Sequence, residues 1–353
     1  MNIVDAAVGP YERVVWATDR ASGLRAVIAV HCTRLGPAVG GTRFFPYADE
    51  ATAVIDVLRL AEGMTLKAAA AGLDLGGGKG VIIGDPCEAC TPALLHAYAE
   101  VVDSLGGIYY TAEDVGTTTA DMDRLRAWTP YVLGTSAAGG GCGDPSPFTA
   151  RGVVAAMRAG WAAETGAPTL AGVRVLIQGA GKVGGGVAEL LAGEGATVLV
   201  SDVSRGRIAA LVAALGITAV APERALSVPC DVLAPCALGG VLSPESVPEL
   251  RCRLVCGSAN NQLSADEVTG LLAERGISYV PDFIANAGGL MAVADQIDEG
   301  FRAERVAARV EGIGDVVADL FDQARADGVT ALDAAHRRAD QRLQAAVRLS
   351  RAA

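Results

Sequence analysis

The chain has 353 residues, of which 51% are hydrophobic and 5% aromatic, with 44 glycines and a formal net charge of −11. This length accommodates two domains with separate cores. The acidic balance argues against a nucleic-acid or anionic-membrane partner, because both recruit basic surfaces, and the expected partners are small molecules and other copies of the chain.

The first part of the chain alternates between strand and helix patterns. Residues 12–19 and 25–32 are rich in β-branched residues and flank a short polar turn, which predicts a β-hairpin. From about Asp49, apolar residues recur at helical spacing, and the predicted helix runs through Lys67.

A glycine-rich segment, LDLGGGKG at 73–80, follows this helix and predicts a flexible loop that carries Lys79. It differs from a phosphate-binding P-loop, since Gly80 replaces the Ser or Thr after the lysine and Leu73 replaces the first glycine. A strand VIIG, a helix from Pro92 to Leu105, a strand IYYTAEDVG and a helix in TTTADMDRLRAW are predicted next.

A Gly- and Pro-rich stretch at 136–152 is predicted to connect two domains, and its Ser146-Pro147 pair predicts a helix N-cap followed by Pro at the first helical position. Apolar strands then alternate with helices, which is typical of a doubly wound parallel sheet. From about Gly289 the chain is predicted to be mostly helical.

The strongest local motif is G-A-G-K-V-G, which follows a predicted strand and opens a predicted helix. Gly179 allows a tight turn, Gly181 lets a pyrophosphate approach the helix N-terminus, and Gly184 permits close packing. Asp202, at the end of the next strand, would bind ribose hydroxyls and repel a 2′-phosphate. Arg205 could weaken that preference only if it turned inward. The motif predicts NAD as the cofactor, the alternative being glycines that serve packing alone.

Proton transfer is predicted to fall to carboxylates or lysines. The three histidines each have an ordinary structural interpretation, and the only lysines are Lys67, Lys79 and Lys182 among 29 basic residues. Arginine keeps its proton in proteins, whereas a lysine can be tuned to lose it. The single C-x-x-C, at 87–90, lacks a second pair of ligands, so no metal site is predicted.

The expected location is the cytoplasm. The N-terminus has no basic segment followed by an apolar core, and no run of about 18 apolar residues occurs. Eight cysteines, many of them within apolar runs, are typical of a reducing compartment.

Lys67, GGGK at 76–79, TAEDVGTT at 111–118 and the dinucleotide motif occur in an order that resembles the Glu/Leu/Phe/Val amino-acid dehydrogenase family, and the leucine and valine branch most closely. The resemblance covers nearly the whole chain. It extends through the blocks GPAVGGTR (36–43), MTLKAAAAGLDLGGGKGVIIGDP (64–86), GDPSPFTARGV (143–153), CDVLAPCALGG (230–240), GSANNQL (257–263) and PDFIANAGG (281–289).

The resemblance implies a two-domain α/β fold. Residues 1–136 would form an α/β substrate-binding and oligomerisation domain, residues 137–326 a doubly wound Rossmann NAD-binding domain, and the C-terminal helix 327–353 would return to the first domain. The implied protein is a homo-oligomer whose cleft closes for hydride transfer. Its implied reaction is the reversible oxidative deamination of an L-amino acid by NAD and water, giving a 2-oxo acid, ammonia and NADH.

The resemblance also implies roles for individual residues. Lys79 would be the general base that activates water, Asp114 would exchange protons with the amino group, and Lys67 would bind the substrate carboxylate. A lysine near a second ammonium in a water-poor cleft loses its proton more readily. The other implied substrate contacts are Gly40, Gly41, Val39, Ala112, Asn261, Leu290 and Val293; the implied cofactor contacts are Gly179, Gly181, Lys182, Val183, Gly184, Asp202, Thr149, Ala237 and Asn260. Which member of the asparagine pair contacts the substrate is left open.

By position in these blocks, Val39, Ala112, Leu290 and Val293 would line an aliphatic side-chain pocket. This predicts that valine, leucine and isoleucine are preferred over phenylalanine. An aromatic amino-acid dehydrogenase is the alternative within the enzyme class. A catalytically silent NAD-binding regulator is the alternative outside it, and the joint presence of Lys67, Lys79 and Asp114 speaks against that interpretation.

Overall fold

The computed structural model describes residues 1–297 and 300–352, and the side chains of 349–352 are not among the described groups. Residue 353, the last of the predicted C-terminal helix segment, also lies outside the described residues. The chain forms two compact units. Unit 1 comprises Met1–Asp144, Ala292–Ala303 and the residues from Ala339 onward, and unit 2 comprises Pro145–Met291 and Glu304–Arg338.

Unit 1 contains a six-stranded mixed sheet in the order β1-β2-β3-β5-β4-β6. The first four strands in this order are antiparallel neighbours, whereas β4 runs parallel to both β5 and β6. The late strand β5 is therefore inserted between two early ones. The strands are β1 (Asn2–Val8), β2 (Tyr11–Asp19), β3 (Leu24–Cys32), β4 (Ala38–Phe45), β5 (Gly76–Ile83) and β6 (Tyr109–Glu113).

The predicted hairpin is confirmed as β2 and β3, which pair in antiparallel register. Strands β1 and β4 were not predicted. The sequence of β4, AVGGTRFF, contains two adjacent glycines and lacks the regular alternation of polar and apolar residues that marks a half-buried strand.

Helices cover both faces of this sheet. On one face, α1 (Glu50–Ala70) packs apolar residues such as Val57 against Val27 and Val81 of the strands. On the other face, α3 (Pro92–Ser104) and α4 (Thr119–Arg126) join a second core with Tyr98 and Phe44. The helix starts follow ordinary capping chemistry, since the side chains of Asp49, Thr91 and Thr118 each accept a backbone hydrogen bond at the first turn of their helices. A short helix, α2 (Pro86–Ala89), precedes α3.

The prediction of a flexible loop at the GGGK segment is wrong, because these residues are part of strand β5. The glycines allow close packing instead. A Cβ at Gly77 would lie 2.1 Å from the backbone nitrogen of Thr65 on α1, and one at Gly80 would lie 2.1 Å from the hydroxyl oxygen of Tyr98. Side chains cannot approach that closely, so the helix and the tyrosine can reach the strand only where it lacks a Cβ.

The turn between α1 and β5 is held by a residue from the end of the chain. Arg342 lies in the segment of the last helix that belongs to unit 1. Its Nη1 donates to the carbonyl oxygens of Ala69 and Leu73, both at 3.0 Å, and its Nη2 lies 2.7 Å from Oδ1 of Asp74. The guanidinium thus adds a partner to the Ala69 carbonyl, which also accepts from the N–H of Gly72 at 3.2 Å, and binds the turn that follows α1.

Unit 2 contains a six-stranded parallel sheet in the order β12-β11-β10-β7-β8-β9. The chain begins this sheet at its centre, extends to one edge and then returns to build the other half, as in dinucleotide-binding folds. The predicted α/β fold class, with a doubly wound second unit and a last helix that returns to the first, is confirmed. The strands are β7 (Arg174–Gln178), β8 (Thr197–Ser201), β9 (Thr218–Ala219), β10 (Val232–Pro235), β11 (Leu254–Val255) and β12 (Ser278–Tyr279).

Nine further helices follow unit 1's α4 in the described part of the chain. The first begins at Ser146 itself, and the residue before it, Pro145, provides no side-chain cap, so the prediction of Ser146 as N-cap is off by one residue. None of the described helices is both long and apolar enough to span a membrane. The helices are α5 (Ser146–Thr165), α6 (Lys182–Gly193), α7 (Arg205–Leu215), α8 (Val268–Glu274), α9 (Asp282–Ala285), α10 (Gly288–Ala294), α11 (Ala303–Glu311), α12 (Ile313–Asp327) and α13 (Ala331–Ala352).

Candidate active site

Unit 1 brings together two of the predicted catalytic residues. The Lys79 ammonium on β5 lies 2.8 Å from Oδ2 of Asp114, which follows β6, and the two side chains are only 8% and 22% exposed. Burial raises the pKa of Asp114, but the ion pairs with Lys79 and Arg43 outweigh it, so the pKa of this carboxyl lies below its ordinary value. The result is a charged pair held in a largely dry setting.

The two glycines of β4 leave room for this pair. A Cβ at Gly41 would lie 2.8 Å from Cβ of Asp114 and 2.5 Å from the carbonyl oxygen of Glu113. At Gly40 a Cβ would lie 1.8 Å from the carbonyl oxygen of Gly78. Strand β4 can therefore pass between its two neighbours only without side chains at these positions, which leaves its backbone next to Asp114.

Buried hydroxyl groups fix the strands from the opposite face. Tyr109 donates to the carbonyl oxygen of Gly40 at 2.6 Å, and Oγ1 of Thr42 is hydrogen bonded to the hydroxyls of Tyr98 (2.6 Å) and Thr111 (2.5 Å). Burial raises the pKa of Tyr98 to about 12 and that of Tyr109 also well above its ordinary value, so both stay protonated. These hydroxyls satisfy polar groups that water cannot reach.

The remaining predicted residues of unit 1 lie on α1, on β4, on β6 and in the later segment that contains Val293. Lys67 lies on α1, two residues after the Thr65 that contacts Gly77, and Val39 is buried on β4. Ala112 on β6 and Val293 converge on one point, because a Cβ at Gly134 would lie 3.9 Å from a methyl group of each. The structure thus places two of the four predicted pocket residues together. Leu290 lies in unit 2, on α10.

Unit 2 carries the predicted dinucleotide loop between β7 and α6. Gly179 has φ +111°, a conformation that L side chains rarely adopt, and a Cβ there would lie 2.7 Å from the backbone nitrogen of Ala237. A Cβ at Gly184 would lie 1.9 Å from the carbonyl oxygen of Gly179. Gly181 has open space around it instead, directly before α6 begins at Lys182. Val183 follows in the first turn of that helix.

The end of strand β8 presents an ordered carboxylate. Asp202 accepts hydrogen bonds from the backbone N–H groups of Ala180 and Ser204, both at 2.7 Å. Burial raises the pKa of Asp202, but these two bonds and Arg207 lower it below its ordinary value. The arginine that approaches the carboxylate is Arg207, at 3.9 Å, whereas Arg205, singled out from the sequence, is the exposed first residue of α7.

The structure distinguishes the two neighbouring asparagines. Asn260 accepts a hydrogen bond through Oδ1 from Nδ2 of Asn286 at 2.8 Å. Asn261 adopts φ +52°, in the left-handed region, and its carbonyl accepts from Gly240 at 2.7 Å. Thr149 lies on α5, close enough to Gly289 that a Cβ there would be 2.6 Å from its Oγ1.

Two residues of the candidate site were missed from the sequence. Asn286 is 4% exposed, and its Oδ1 has no hydrogen-bond partner among the described groups. Arg43 donates from Nε to Oδ2 of Asp114 at 3.2 Å. Each lies within a motif block that carries the resemblance, and Arg43 shares a strand face with Gly41 two residues earlier, which is the signal that could have identified it.

Two family models match the chain: "Glu/Leu/Phe/Val dehydrogenase, dimerisation domain" over residues 12–130, and "Glutamate/Leucine/Phenylalanine/Valine dehydrogenase" over residues 204–349. The chain belongs to the Glu/Leu/Phe/Val dehydrogenase family. This confirms the resemblance, and the protein is an amino-acid dehydrogenase, an oxidoreductase that acts on a CH–NH₂ group.

Relatives and a solved structure agree with this assignment. The chain is 49% identical to a valine dehydrogenase of Streptomyces albus, over 95% of this chain and 93% of the relative. It is 44% identical to a leucine dehydrogenase of Thermoactinomyces intermedius, over 95% and 91%. The crystal structure of L-tryptophan dehydrogenase from Nostoc punctiforme superposes with a TM-score of 0.86 at 36% identity, over 96% of this chain and 97% of that one.

Proposed function

We propose that the protein catalyses the NAD-dependent, reversible oxidative deamination of L-amino acids with branched aliphatic side chains. The observation that carries this proposal is the buried Lys79–Asp114 pair beside the bare backbone of Gly40 and Gly41. The reaction converts an L-amino acid, water and NAD to a 2-oxo acid, ammonia and NADH.

In the proposed acid–base chemistry, three charged groups have different roles. Lys67 binds the substrate carboxylate. Asp114 takes a proton from the substrate ammonium and returns protons to the leaving ammonia. Lys79, whose ammonium lies 2.8 Å from Asp114, removes a proton from the water that attacks the imino carbon, while Asp114 returns its own proton to the amino group that leaves as ammonia.

The loop after β7 is suited to NAD. The open space at Gly181 and the tight contact at Gly184 would let a pyrophosphate approach α6, and Lys182, Val183, Ala237 and Thr149 would join it as contacts. The Asp202 carboxylate keeps unused lone pairs on each oxygen, which can accept from ribose hydroxyls. When bound, NAD would supply the acceptor for the hydride of the substrate α-carbon.

Asn260 and Asn261 are proposed to divide between cofactor and substrate. Asn260 is fixed by Asn286, which suits a group that orients the nicotinamide. Asn261, by contrast, is proposed to contact the substrate.

The proposed side-chain preference follows from the aliphatic character of Val39, Ala112, Leu290 and Val293. None of them offers a hydrogen bond, so a polar substrate side chain would lose its water partners without replacement. Such a pocket rejects glutamate strongly but separates apolar side chains weakly, since one methylene contributes about 1 to 3 kcal/mol. The similarity to leucine and valine dehydrogenases supports the same preference.

An aromatic amino acid is the second candidate substrate. The observation that favours it is the structural similarity to an L-tryptophan dehydrogenase at 36% identity. The identity to the leucine and valine enzymes is higher, at 44% and 49%, so we rank the aliphatic substrates first.

The decisive experiment follows NADH formation by the purified protein across the standard L-amino acids, with NADP in parallel. We expect kcat/KM to be highest for valine, leucine or isoleucine. Phenylalanine or tryptophan exceeding all three would establish the aromatic alternative. NAD binding in calorimetry without turnover of any amino acid would indicate a silent regulator.

We further propose a cytoplasmic homo-oligomer with no nucleic-acid or membrane partner. The matching family model for residues 12–130 is that of a dimerisation domain, and the net charge of −11 opposes binding to polyanions. All eight cysteines are free thiols, as expected in a reducing compartment. Sedimentation of the purified protein would measure the oligomer size.

A further inference from the structure

The charged centre of unit 1 extends beyond Lys79 and Asp114. Arg43 on β4 contacts two carboxylates with different edges of its guanidinium: Nε lies 3.2 Å from Oδ2 of Asp114, and Nη1 lies 2.8 Å from Oδ2 of Asp56 on α1. The same Asp114 oxygen also receives the Lys79 ammonium at 2.8 Å. Two cations from two neighbouring strands therefore share one carboxylate oxygen.

We propose that Arg43 is a positioning residue for Asp114, and that Asp56 holds Arg43 in place. This proposal rests on the proposed function, in which Lys79 alternates between its charged and neutral forms. Arg43 holds the Asp114 side chain in place throughout that cycle.

The chemistry of the cycle requires a second, permanent cation. When Lys79 gives up its proton, Asp114 loses the charge of one partner and keeps only a neutral amine beside it. Arginine does not deprotonate in proteins, so the Arg43 charge remains throughout. Its planar group also bridges two carboxylates at once, which the single ammonium of a lysine would do with less defined geometry.

Asp56, the second carboxylate partner of Arg43, is itself held by a partly buried hydrogen bond. The Tyr47 hydroxyl donates to the same Oδ2 of Asp56 at 2.6 Å, and the Asp56 side chain is only 16% exposed. Burial and this hydrogen bond to Asp56 both raise the pKa of Tyr47, so its hydroxyl stays a donor. By contrast, Arg59 approaches the outer oxygen of Asp56 at 3.5 Å and is 71% exposed, so solvent screens it.

The electrostatic consequence is a change in the pH dependence of activity. Removing the Arg43 charge takes positive charge away from the proposed base and its carboxylate partner, so we expect activity to rise at a higher pH. The elements packed against β5 also carry other titratable and charged groups, namely Arg25 and His31 on β3 and Glu50, Asp56, Arg59, Glu62 and Lys67 on α1.

The first test compares Arg43→Gln and Arg43→Lys with Arg25→Gln. Arg25 also lies in unit 1, but it is 53% exposed and pairs with Glu50 at 3.6 Å, away from Asp114, so it controls for an arginine-to-glutamine change. We expect Arg43→Gln to lower kcat about 100-fold with a less than about threefold change in amino-acid KM, as for loss of oriented proton transfer. We expect Arg43→Lys to recover part of the loss and Arg25→Gln to have normal kinetics.

The pH profile of kcat/KM separates positioning from folding defects. We expect the rising limb of the kcat/KM profile to lie at a pH roughly one unit higher in Arg43→Gln than in the parent, because a nearby charge is lost. Asp56→Asn keeps the Arg43 charge but loosens its hold, so we expect a kcat loss of about tenfold with a smaller shift of the limb. A folded Arg43→Gln variant with a normal limb and normal kcat would overturn the proposal, and a normal Asp56→Asn variant would overturn the role of Asp56.

A readout without turnover distinguishes failure of this proposal from failure of the proposed function. With only three lysines in the chain, acetylation of Lys79 by acetic anhydride can be followed across pH by peptide mass spectrometry, with Lys182 in unit 2 as internal reference. We expect the labelling midpoint of Lys79 to rise in Arg43→Gln and to stay in place in Arg25→Gln. If the parent protein oxidises no amino acid, the proposed function is wrong. If the labelling midpoint of Lys79 is the same in Arg43→Gln as in the parent, the proposed role of Arg43 is wrong, even when the enzyme is active.

Discussion

The two units use six-stranded sheets for opposite purposes. In unit 1, charged side chains from separate strands converge, and Arg43 and Lys79 meet at Asp114. In unit 2, the candidate site is made mostly of backbone, with glycines that admit close contacts and Asp202 held by two N–H groups. The proposed proton transfer in unit 1 thus depends on where the sheet places charges, whereas the proposed nucleotide recognition in unit 2 depends on the path of the chain.

Replacing Lys79 gives the largest expected effect, because it removes the proposed base itself. We expect Lys79→Ala to lower kcat by about 1,000-fold or more on the best substrate. Lys79→Arg is the matched control, since it keeps a cation that cannot act as a base, and it should be equally impaired. Near-normal turnover of either variant in steady-state assays would remove this assignment.

The next prediction compares Lys79 with Lys67, the other lysine of unit 1. Because Lys67 is proposed to bind the substrate carboxylate, Lys67→Ala should raise the amino-acid KM by about tenfold or more and change kcat less. The two lysine variants therefore separate along different kinetic parameters. A Lys67→Ala variant with normal KM would contradict the proposed carboxylate contact.

Asp114→Asn tests the cost of leaving buried cations without a partner. We expect the free energy of unfolding at pH 7 to fall by about 2 to 3 kcal/mol, since Lys79 and Arg43 lose their shared carboxylate. The folded pKa of Asp114 is lowered, so its stabilising effect is complete above the ordinary value near 4 and is lost as pH falls through the folded value. The difference between parent and variant should therefore shrink in melts below about pH 4. A constant difference at every pH would point to packing instead of charge.

In unit 2, replacing the Asp202 carboxylate is expected to change the preference between NAD and NADP. We expect the unmodified protein to prefer NAD over NADP. In Asp202→Ala, the ratio of kcat/KM with NAD to kcat/KM with NADP should fall by about tenfold or more, because the repulsion of a 2′-phosphate is lost. Adding Arg207→Ala to that variant should remove the gained NADP activity more than adding Arg205→Ala, since Arg207 is the arginine beside the carboxylate. Equal use of both cofactors by the unmodified protein would refute the assignment of Asp202.

The smallest expected effect comes from removing the hydroxyl of Tyr109 or Tyr98, which are hydrogen bonded to strand β4. Tyr109→Phe removes the hydrogen bond to the Gly40 carbonyl and should cost about 1 kcal/mol of stability. Since Gly40 is proposed to contact substrate, the amino-acid KM should rise as well. Tyr98→Phe is the control, because Tyr98 bonds to the Thr42 side chain and not to the Gly40 carbonyl. A KM that rises equally in both variants would contradict this local explanation.

Unit 2 could be predicted further from sequence than unit 1, for a physical reason. The turn at Gly179, the start of α6 and Asp202 all belong to one recurrent strand-loop-helix-strand motif, so a contiguous stretch of sequence reports them. The glycines of β5 are needed for contacts with Thr65 and Tyr98, which lie on other elements. Local propensity cannot register such contacts, so the glycine-rich sequence suggested a loop.

The convergence of charges in unit 1 depends on strand order. Strand β5 inserts between β3 and β4, and β6 pairs with the other edge of β4. No spacing along the chain reveals that Arg43 and Asp114 are neighbours, and the association of Lys79 with Asp114 was expected only from the family resemblance. The proposed proton-transfer groups were thus predictable by analogy, whereas Arg43, which contacts one of them, was not.

The contact of Arg342 with the turn between α1 and β5 has a consequence for the newly made chain. Domains fold largely as units while synthesis proceeds from the N-terminus. Unit 2 is fully translated at Arg338, whereas the turn that joins the two lysine-bearing elements of unit 1 awaits a residue made later. On the ribosome, the unit that begins first is therefore completed last, and a chain released before Arg342 would have all of unit 2 but would lack the contact that holds the turn between α1 and β5.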